Sequence, residues 1–365
     1  MADIGDPRSA LGLVIHAGYR LWPQLDALAQ WGDQLEELRL VLAYGDDEEG
    51  GPAQRIERFV AEFLPHLKVT RVGTVYDDDP QQTAIAIAAA TADRGPWIVD
   101  ISGGTRLMFA GGVLAASRLP DLAVVFRDTA GPWYQIARDG EAVPLEGIST
   151  RAIERFTVQG LLEVTWADED RRVRIAQPPI EPEIWTAAQN VLAKPERSWR
   201  NELEQATSAI TRRQSARPDG GLLFERFVLS LLRQMGVAED DSAVGVKLTD
   251  DGSPVQEVDI VVNSNGWLHV IDCKIHDGKP RRAFHPPGRY DPPPLGTQVR
   301  EAFATRRLLG DGGDQFILLR PNMVIREEFR SLCGEYQINV VDKVDLAKHS
   351  LPVILERLIQ PPGKV

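Results

Sequence analysis

Asp259, Asp272 and Lys274 are the residues of this chain whose types and spacing best suit chemistry, because a hairpin can bring two carboxylates and an ammonium onto one surface. They lie in the stretch V-D-I-V-V-N-S-N-G-W-L-H-V-I-D-C-K, residues 258–274. The β-branched run beginning at Val258 and the run from Trp267 to Ile271 flank Asn265-Gly266, and Asn-Gly between two such runs signals a hairpin. With those two residues as the turn, Ser264 pairs with Trp267, which sets Asp259 opposite Asp272 and Glu257 opposite Lys274. The strand period of two puts Asp272 and Lys274 on one side and Cys273 on the other. Like charges facing each other across a strand pair are destabilising, so the aspartates call for a cation. Hard divalent ions such as Mg²⁺ and Mn²⁺ prefer carboxylate and water oxygens, and they support hydrolysis of phosphodiesters. Lys274 would orient the attacking water or stabilise charge on the phosphate.

The element expected to back this hairpin is a helix through Gly221 to Leu229, in which Leu223, Phe227, Leu231 and Leu232 form an apolar stripe and Glu225 lies off its centre. A helix bearing a Glu, then a hairpin carrying Asp and (Asp/Glu)-x-Lys, resembles the PD-(D/E)xK nuclease superfamily. Glu225, Asp259, Asp272 and Lys274 stand at the matching positions, with Val258 in place of the eponymous Pro and Asp272 in place of the commoner Glu. The resemblance implies that Asp259, Asp272 and Glu225 hold Mn²⁺ or Mg²⁺, that Lys274 positions the nucleophile, and that the phosphodiester is hydrolysed by in-line attack.

A different pattern occupies the first part of the chain. Strands are expected at Leu11 to His16, Leu38 to Tyr44, Val69 to Val75, Trp97 to Ile101, Leu122 to Arg127 and Trp133 to Ala137. Helices at Trp22 to Trp31, Gln54 to Leu64 and Gln81 to Ala92, with another after Ser102, alternate with them. Such alternation implies a mostly parallel sheet covered by helices, a Rossmann-like α/β domain, whose ligands sit beyond the carboxyl ends of the strands. Two loops occupy that position: Ala17-Gly18-Tyr19-Arg20 and Ser102-Gly103-Gly104-Thr105-Arg106. Glycines let a phosphate or ribose approach the backbone, and a helix start presents N–H groups to an anion. Neither loop is a G-x-G-x-x-G fingerprint or a P-loop. A strand, then Ser-Gly-Gly-Thr-Arg, then a helix opening with Leu-Met resembles the Thr-Gly-Gly-Thr-Lys loop of CARF domains, the CRISPR-associated Rossmann folds that sense cyclic oligoadenylates. The resemblance implies that Gly18, Arg20, Ser102, Gly103, Gly104, Thr105 and Arg106 meet such a ligand.

The order of these two parts resembles the cyclic-oligoadenylate-activated effector nucleases of type III CRISPR systems. It implies a CARF domain over residues 1–147, a helical connector over 148–215 and a PD-(D/E)xK domain over 216–365. It further implies a homodimer that binds cyclic tetra-adenylate and cuts DNA or RNA. The alternative is a CARF-linked sensing protein whose nuclease fold is inactive.

The rest of the chain bears on partners. Residues 1–150 hold 12 Lys and Arg against 22 Asp and Glu, whereas the remainder holds 29 against 31, so the net charge of −12 sits mostly in the first part. Basic pairs at Arg171-Arg172, Arg212-Arg213, Arg281-Arg282 and Arg306-Arg307 suit phosphate contacts. A Pro-rich stretch from Lys279 to Leu295 adds Phe284, His285, Arg289 and Tyr290, a mixture suited to single strands. Further strands are expected at Gln315 to Leu319 and Gln337 to Val341, with a helix at Arg326 to Cys333. Two cysteines make no disulfide framework, no apolar run reaches transmembrane length, and the N-terminus lacks signal-peptide features, so a cytoplasmic protein with no membrane partner is expected.

Overall fold

The computed structural model describes residues 7, 10–18, 21–43, 51–76, 78–92, 96–119, 122–127, 132–148, 156–166, 171–194, 198–214, 219–250, 253–264, 267–275, 296–297, 299–302, 315–336 and 338–359. Tyr19, Arg20, the Asn265-Gly266 turn, the stretch 279–295, Gln298 and residues 303–309 lie outside them.

Short apolar runs in the first part become the strands of a seven-stranded sheet. These are β1 (Gly12–Ala17), β2 (Glu37–Ala43), β3 (Lys68–Val75), β4 (Trp97–Asp100), β5 (Leu122–Arg127), β6 (Trp133–Ile136) and β7 (Ala142–Pro144). Their order is β3-β2-β1-β4-β5-β6-β7, parallel through β5 and antiparallel beyond it. The period of two sends Leu13 and Ile15 to one face and Val14 to the other, and both faces are covered. The helices α1 (Leu21–Trp31) and α2 (Pro52–Phe63) pack on the first face, and α3 (Pro80–Ala90) and α4 (Arg106–Arg118) on the second. The chain runs outward from β1 to β3, then returns to start β4 beside β1, which makes the β1–β4 boundary the topological switch point.

Among the described residues of the connecting segment is a helix, α5 (Val158–Trp166), wedged between the two halves. A methyl group on Gly160 would lie 2.1 Å from the Phe63 ring of α2, so glycine is what lets α5 approach. On its other side, the Val158 N–H donates to the Asp240 carbonyl at 2.9 Å. Leu161 and Leu162 are fully buried and join the cores of both halves.

The second half is a six-stranded sheet of order β13-β12-β11-β10-β9-β8, built from β8 (Arg171–Ile175), β9 (Ser242–Asp250), β10 (Ser253–Ser264), β11 (Trp267–Cys273), β12 (Gln315–Arg320) and β13 (Ile338–Asp342). Strand β8 falls within the stretch expected to be a helical connector, yet it pairs antiparallel with β9, so this basic cluster is an edge strand. Helices α6 (Pro182–Ala193) and α7 (Trp199–Gln214) follow and pack with α8 (Gly220–Gln234). Asp219 caps α8 by accepting from the Gly221 N–H at 2.7 Å. The stripe Leu223, Phe227, Leu231 and Leu232 is fully buried against the sheet, each residue contributing about 2 kcal/mol of burial. Trp199 stacks near Phe224, with centroids 5.4 Å apart, so it is a core residue. Helices α9 (Glu327–Glu335), α10 (Lys343–Lys348) and α11 (Leu351–Leu358) complete the half.

Candidate active site and ligand-binding loops

The β10–β11 ladder runs from Ser264 opposite Trp267 to Ile260 opposite Ile271, which is the register expected from the turn. One step further sets Asp259 against Asp272, and the side chains meet there. The Lys274 ammonium lies 3.3 Å from Asp259 Oδ2 and 3.4 Å from Asp272 Oδ1. The Cys273 N–H donates to Asp259 Oδ2 at 2.6 Å, which fixes that carboxylate to the hairpin. Glu257 makes its ion pair across the other edge of β10, with Lys247 at 3.2 Å.

Burial, then the charge of Asp272, pushes the Asp259 carboxyl up to about 6, while Lys274 opposes the rise. Glu225 faces the same cluster from α8: burial and then the charge of Asp259 push its carboxyl up to about 8. Burial works to lower Lys274, but Asp272 and Asp259 overcome it and hold the ammonium above its ordinary range. Two aspartates and one ammonium therefore share a partly buried site that Glu225 faces from α8. That is an oxygen-only donor set suited to a hard divalent cation. Among the described residues no three such side chains converge as a ready cation cage. Asp259 and Asp272 are brought together with Lys274 between them, and Glu225 on α8 comes near enough to feel the charges of Asp259 and Lys274.

A fifth participant, Arg320, is absent from the sequence expectations. Its guanidinium is fully buried at the end of β12 and donates to Asp272 Oδ1 at 2.9 Å, to the Asp272 carbonyl at 2.9 Å and to the Leu319 carbonyl at 3.1 Å. It thereby ties the backbone and carboxylate of Asp272 to the neighbouring strand. Asn322 donates to the Ile275 carbonyl and holds the chain just after Lys274. His269, on the face opposite Asp272, is fully buried and lowered by that burial to about 4, as befits a packing residue.

At the switch point the two glycine loops touch. A methyl group on Gly18 would lie 3.4 Å from the Gly104 backbone, and Gly104 itself has φ of +81°, a conformation that favours glycine. Thr105 caps α4, its Oγ1 accepting from the Met108 N–H at 3.3 Å. Arg106 follows, exposed at the helix start. Ser102 is used within the fold: its Oγ donates to Asp100 Oδ1 at 2.5 Å and accepts the Arg127 N–H at 2.9 Å.

Beneath the loops lies a buried polar layer that the sequence did not announce. Gln24 Nε2 donates to the His16 carbonyl at 2.8 Å and fills the space that a side chain at Gly103 would need. Asp26 pairs with Arg127, and burial raises its carboxyl to about 6 against that pairing. Burial raises Asp100 to about 7 against its hydrogen bonds from Ser102, and lowers His16 to about 4. Charged residues ending parallel strands, such as Asp100 on β4 and Arg127 on β5, were the available signal for this layer.

No protein-family model matches the sequence, and no curated protein matches it. Solved structures do. Over 96% of this chain and 99% of the other, the fold superposes with TM-score 0.59 and 15% identity on Can2 from Sulfobacillus thermosulfidooxidans, solved in complex with cyclic tetra-adenylate. This chain has the same two-part α/β fold. A second likeness, with TM-score 0.66 and 12% identity over 97% of this chain and 99% of the other, is to VC1899 from Vibrio cholerae. A third, with TM-score 0.55 and 16% identity, covers 96% of this chain and 52% of a type III CRISPR defence DNA nuclease activated by cyclic oligoadenylate. No described helix is long and apolar enough to cross a membrane.

Proposed function

We propose that the protein is a cyclic-oligoadenylate-activated, metal-dependent endonuclease of type III CRISPR defence that acts as a homodimer. The observation that carries this reading is the contact of one ammonium, Lys274, with two aspartates at 3.3 and 3.4 Å, with a third carboxylate facing them from a helix. The shared fold with a cyclic tetra-adenylate complex and with a cyclic-oligoadenylate-activated nuclease supports it.

Asp259, Asp272 and Glu225 would hold Mn²⁺ or Mg²⁺. Such an ion supplies Lewis acidity toward a phosphoryl oxygen and charge that lets water attack at neutral pH. The chain contributes orientation: the Cys273 N–H and Arg320 fix the two aspartates, so little reorganisation remains when substrate arrives. Lys274 Nζ, which lies between the two aspartates, would donate to the scissile phosphate. In the first half, the Gly18 and Gly103-Gly104 backbones would approach the activator, with Thr105 and Arg106 at the helix start receiving a phosphate. Arg20 belongs to the same set by its place in the sequence.

One observation favours the alternative, a sensing protein with an inactive nuclease fold. Asp272 is already engaged by both Lys274 and Arg320, so a cation must compete for it. Activator binding separates the two halves of the proposal. Cyclic tetra-adenylate should bind the full chain tightly, bind Asp272→Ala equally well, and bind Arg106→Glu at least tenfold more weakly, as measured by calorimetry. Loss of binding in Asp272→Ala would contradict the assignment of two separate sites.

A further inference from the structure

A cleft of about 430 Å³ opens between the start of α7 and the α10–α11 pair, and none of its lining residues belongs to either site described above. Arg200, Lys343, Lys348 and His349 line it together with Trp199 and Ser350, and none of its lining residues is acidic. The nearest acids along the chain are already engaged: Asp342 and Asp345 both pair with Arg330, at 2.7 and 2.8 Å. Among the described residues no carboxylate pairs with Arg200, Lys343 or Lys348, so the cleft gathers three positive charges on a protein whose overall charge is −12. Ser350, which precedes α11, makes no capping bond, and its buried Oγ has no partner among the described residues.

The position of this cleft gives it meaning. Strands β11, β12 and β13 are parallel and end on one edge of the sheet. Lys274 follows β11, its N–H bonded to the Leu319 carbonyl at 3.0 Å; Arg320 ends β12, opposite Asp342 at the end of β13; and Lys343 comes next. Arg200 bonds to the Pro321 carbonyl, which fixes the far wall of the cleft to the same edge. Two strand spacings separate Lys274 from Lys343, roughly 10 Å. At ~3.4 Å per stacked nucleotide this is about three nucleotides of one strand. The chemistry is that of phosphate recognition by cations and a hydroxyl, at a reach that a strand lying across the aspartates would span.

We propose that this cleft is a phosphate subsite for the nucleic-acid strand being cut, gripping its backbone about three nucleotides from the scissile bond. The inference rests on the nuclease reading for its choice of ligand. Two variants test it, Lys343→Glu with Lys348→Glu and the milder Lys343→Gln with Lys348→Gln; both lysines are exposed, so the fold should tolerate either pair. Each is compared with the parent in an Asp272→Ala full-length background without divalent metal, where strand binding is read by anisotropy independently of cutting. Affinity for a labelled homopolymer should fall about tenfold in the Glu pair and less in the Gln pair, and the salt dependence should become shallower by about 0.7 for each lost phosphate contact. In the cutting-competent protein the KM advantage of a long strand over a dinucleotide should shrink. Unchanged affinity and salt slope in both pairs would overturn the proposal. So would a cleft that takes inorganic phosphate but leaves strand binding indifferent to the lysines. A parent that never cuts, yet binds strands through these lysines, would sink the nuclease reading and leave the subsite standing.

Discussion

Replacing Arg320 with Met tests how the hairpin that carries Asp259 and Asp272 is held. The substitution keeps an apolar stem of similar length but removes a fully buried guanidinium and three hydrogen bonds, two to Asp272 and one to Leu319. Breaking a buried ion pair from one side costs ~3–5 kcal/mol, because the remaining charge loses its partner. Here Asp272 keeps a quarter of its side chain in solvent and keeps Lys274 at 3.4 Å, which places the expected loss lower, at ~2–3 kcal/mol. For a domain of this size that is a fall in melting temperature of roughly 5–10 °C. Arg320→Lys should recover little, since an ammonium cannot donate to the carbonyl and the carboxylate with the same planar fork. The assay is thermal and denaturant unfolding of wild type, Arg320→Met, Asp272→Asn and the double variant. A coupling energy above ~1 kcal/mol is expected. A loss below ~0.5 kcal/mol, or strictly additive effects, would refute the view that Arg320 positions Asp272.

Two further perturbations probe the first half. Gly103→Ala would put a methyl group 2.0 Å from Gln24 Nε2, so it should evict a buried side chain at a cost of ~1–3 kcal/mol, and Gln24→Ala in the same chain should restore part of that loss. Wild-type stability in Gly103→Ala by denaturant titration would count against this packing. Stability should also depend on pH through Asp100, whose buried carboxyl titrates at about 7 in the folded chain against ~3.9 when unfolded. Its contribution is fully present below ~4 and is lost as pH rises through the folded value, at up to ~1.4 kcal/mol per pH unit. The melting temperature should therefore fall between about pH 5 and about pH 8, and fall less in Asp100→Asn; equal slopes in the two proteins would reject the assignment.

Much of this architecture could be read from local pattern. The runs that became β1 to β5 are short, apolar and separated by helical periods, and the Asn265-Gly266 signal set the β10–β11 register that joins Asp259 to Asp272. What escaped depended on pairing at a distance. Strand β8 reads as a basic cluster because the residues that make it a strand, in β9, lie some 70 positions later. Arg320 reads as the polar end of an apolar run; its partner Asp272 sits 48 residues earlier on a parallel strand, where no turn fixes the register. Gln24 and Asp26 belong to a helix whose polar residues would ordinarily face water, yet both are buried under the glycine loops. Parallel pairings and buried polar layers are tertiary facts, and period and turn chemistry do not encode them.

The most direct test of the central claim is cleavage of labelled single-stranded DNA, single-stranded RNA and supercoiled plasmid with Mn²⁺ or Mg²⁺, each with and without cyclic tetra-adenylate, by wild type and Asp272→Ala. The account predicts cutting by wild type that requires both the metal and the activator and is abolished in Asp272→Ala. Cutting that ignores the activator, or that survives in Asp272→Ala, would contradict it.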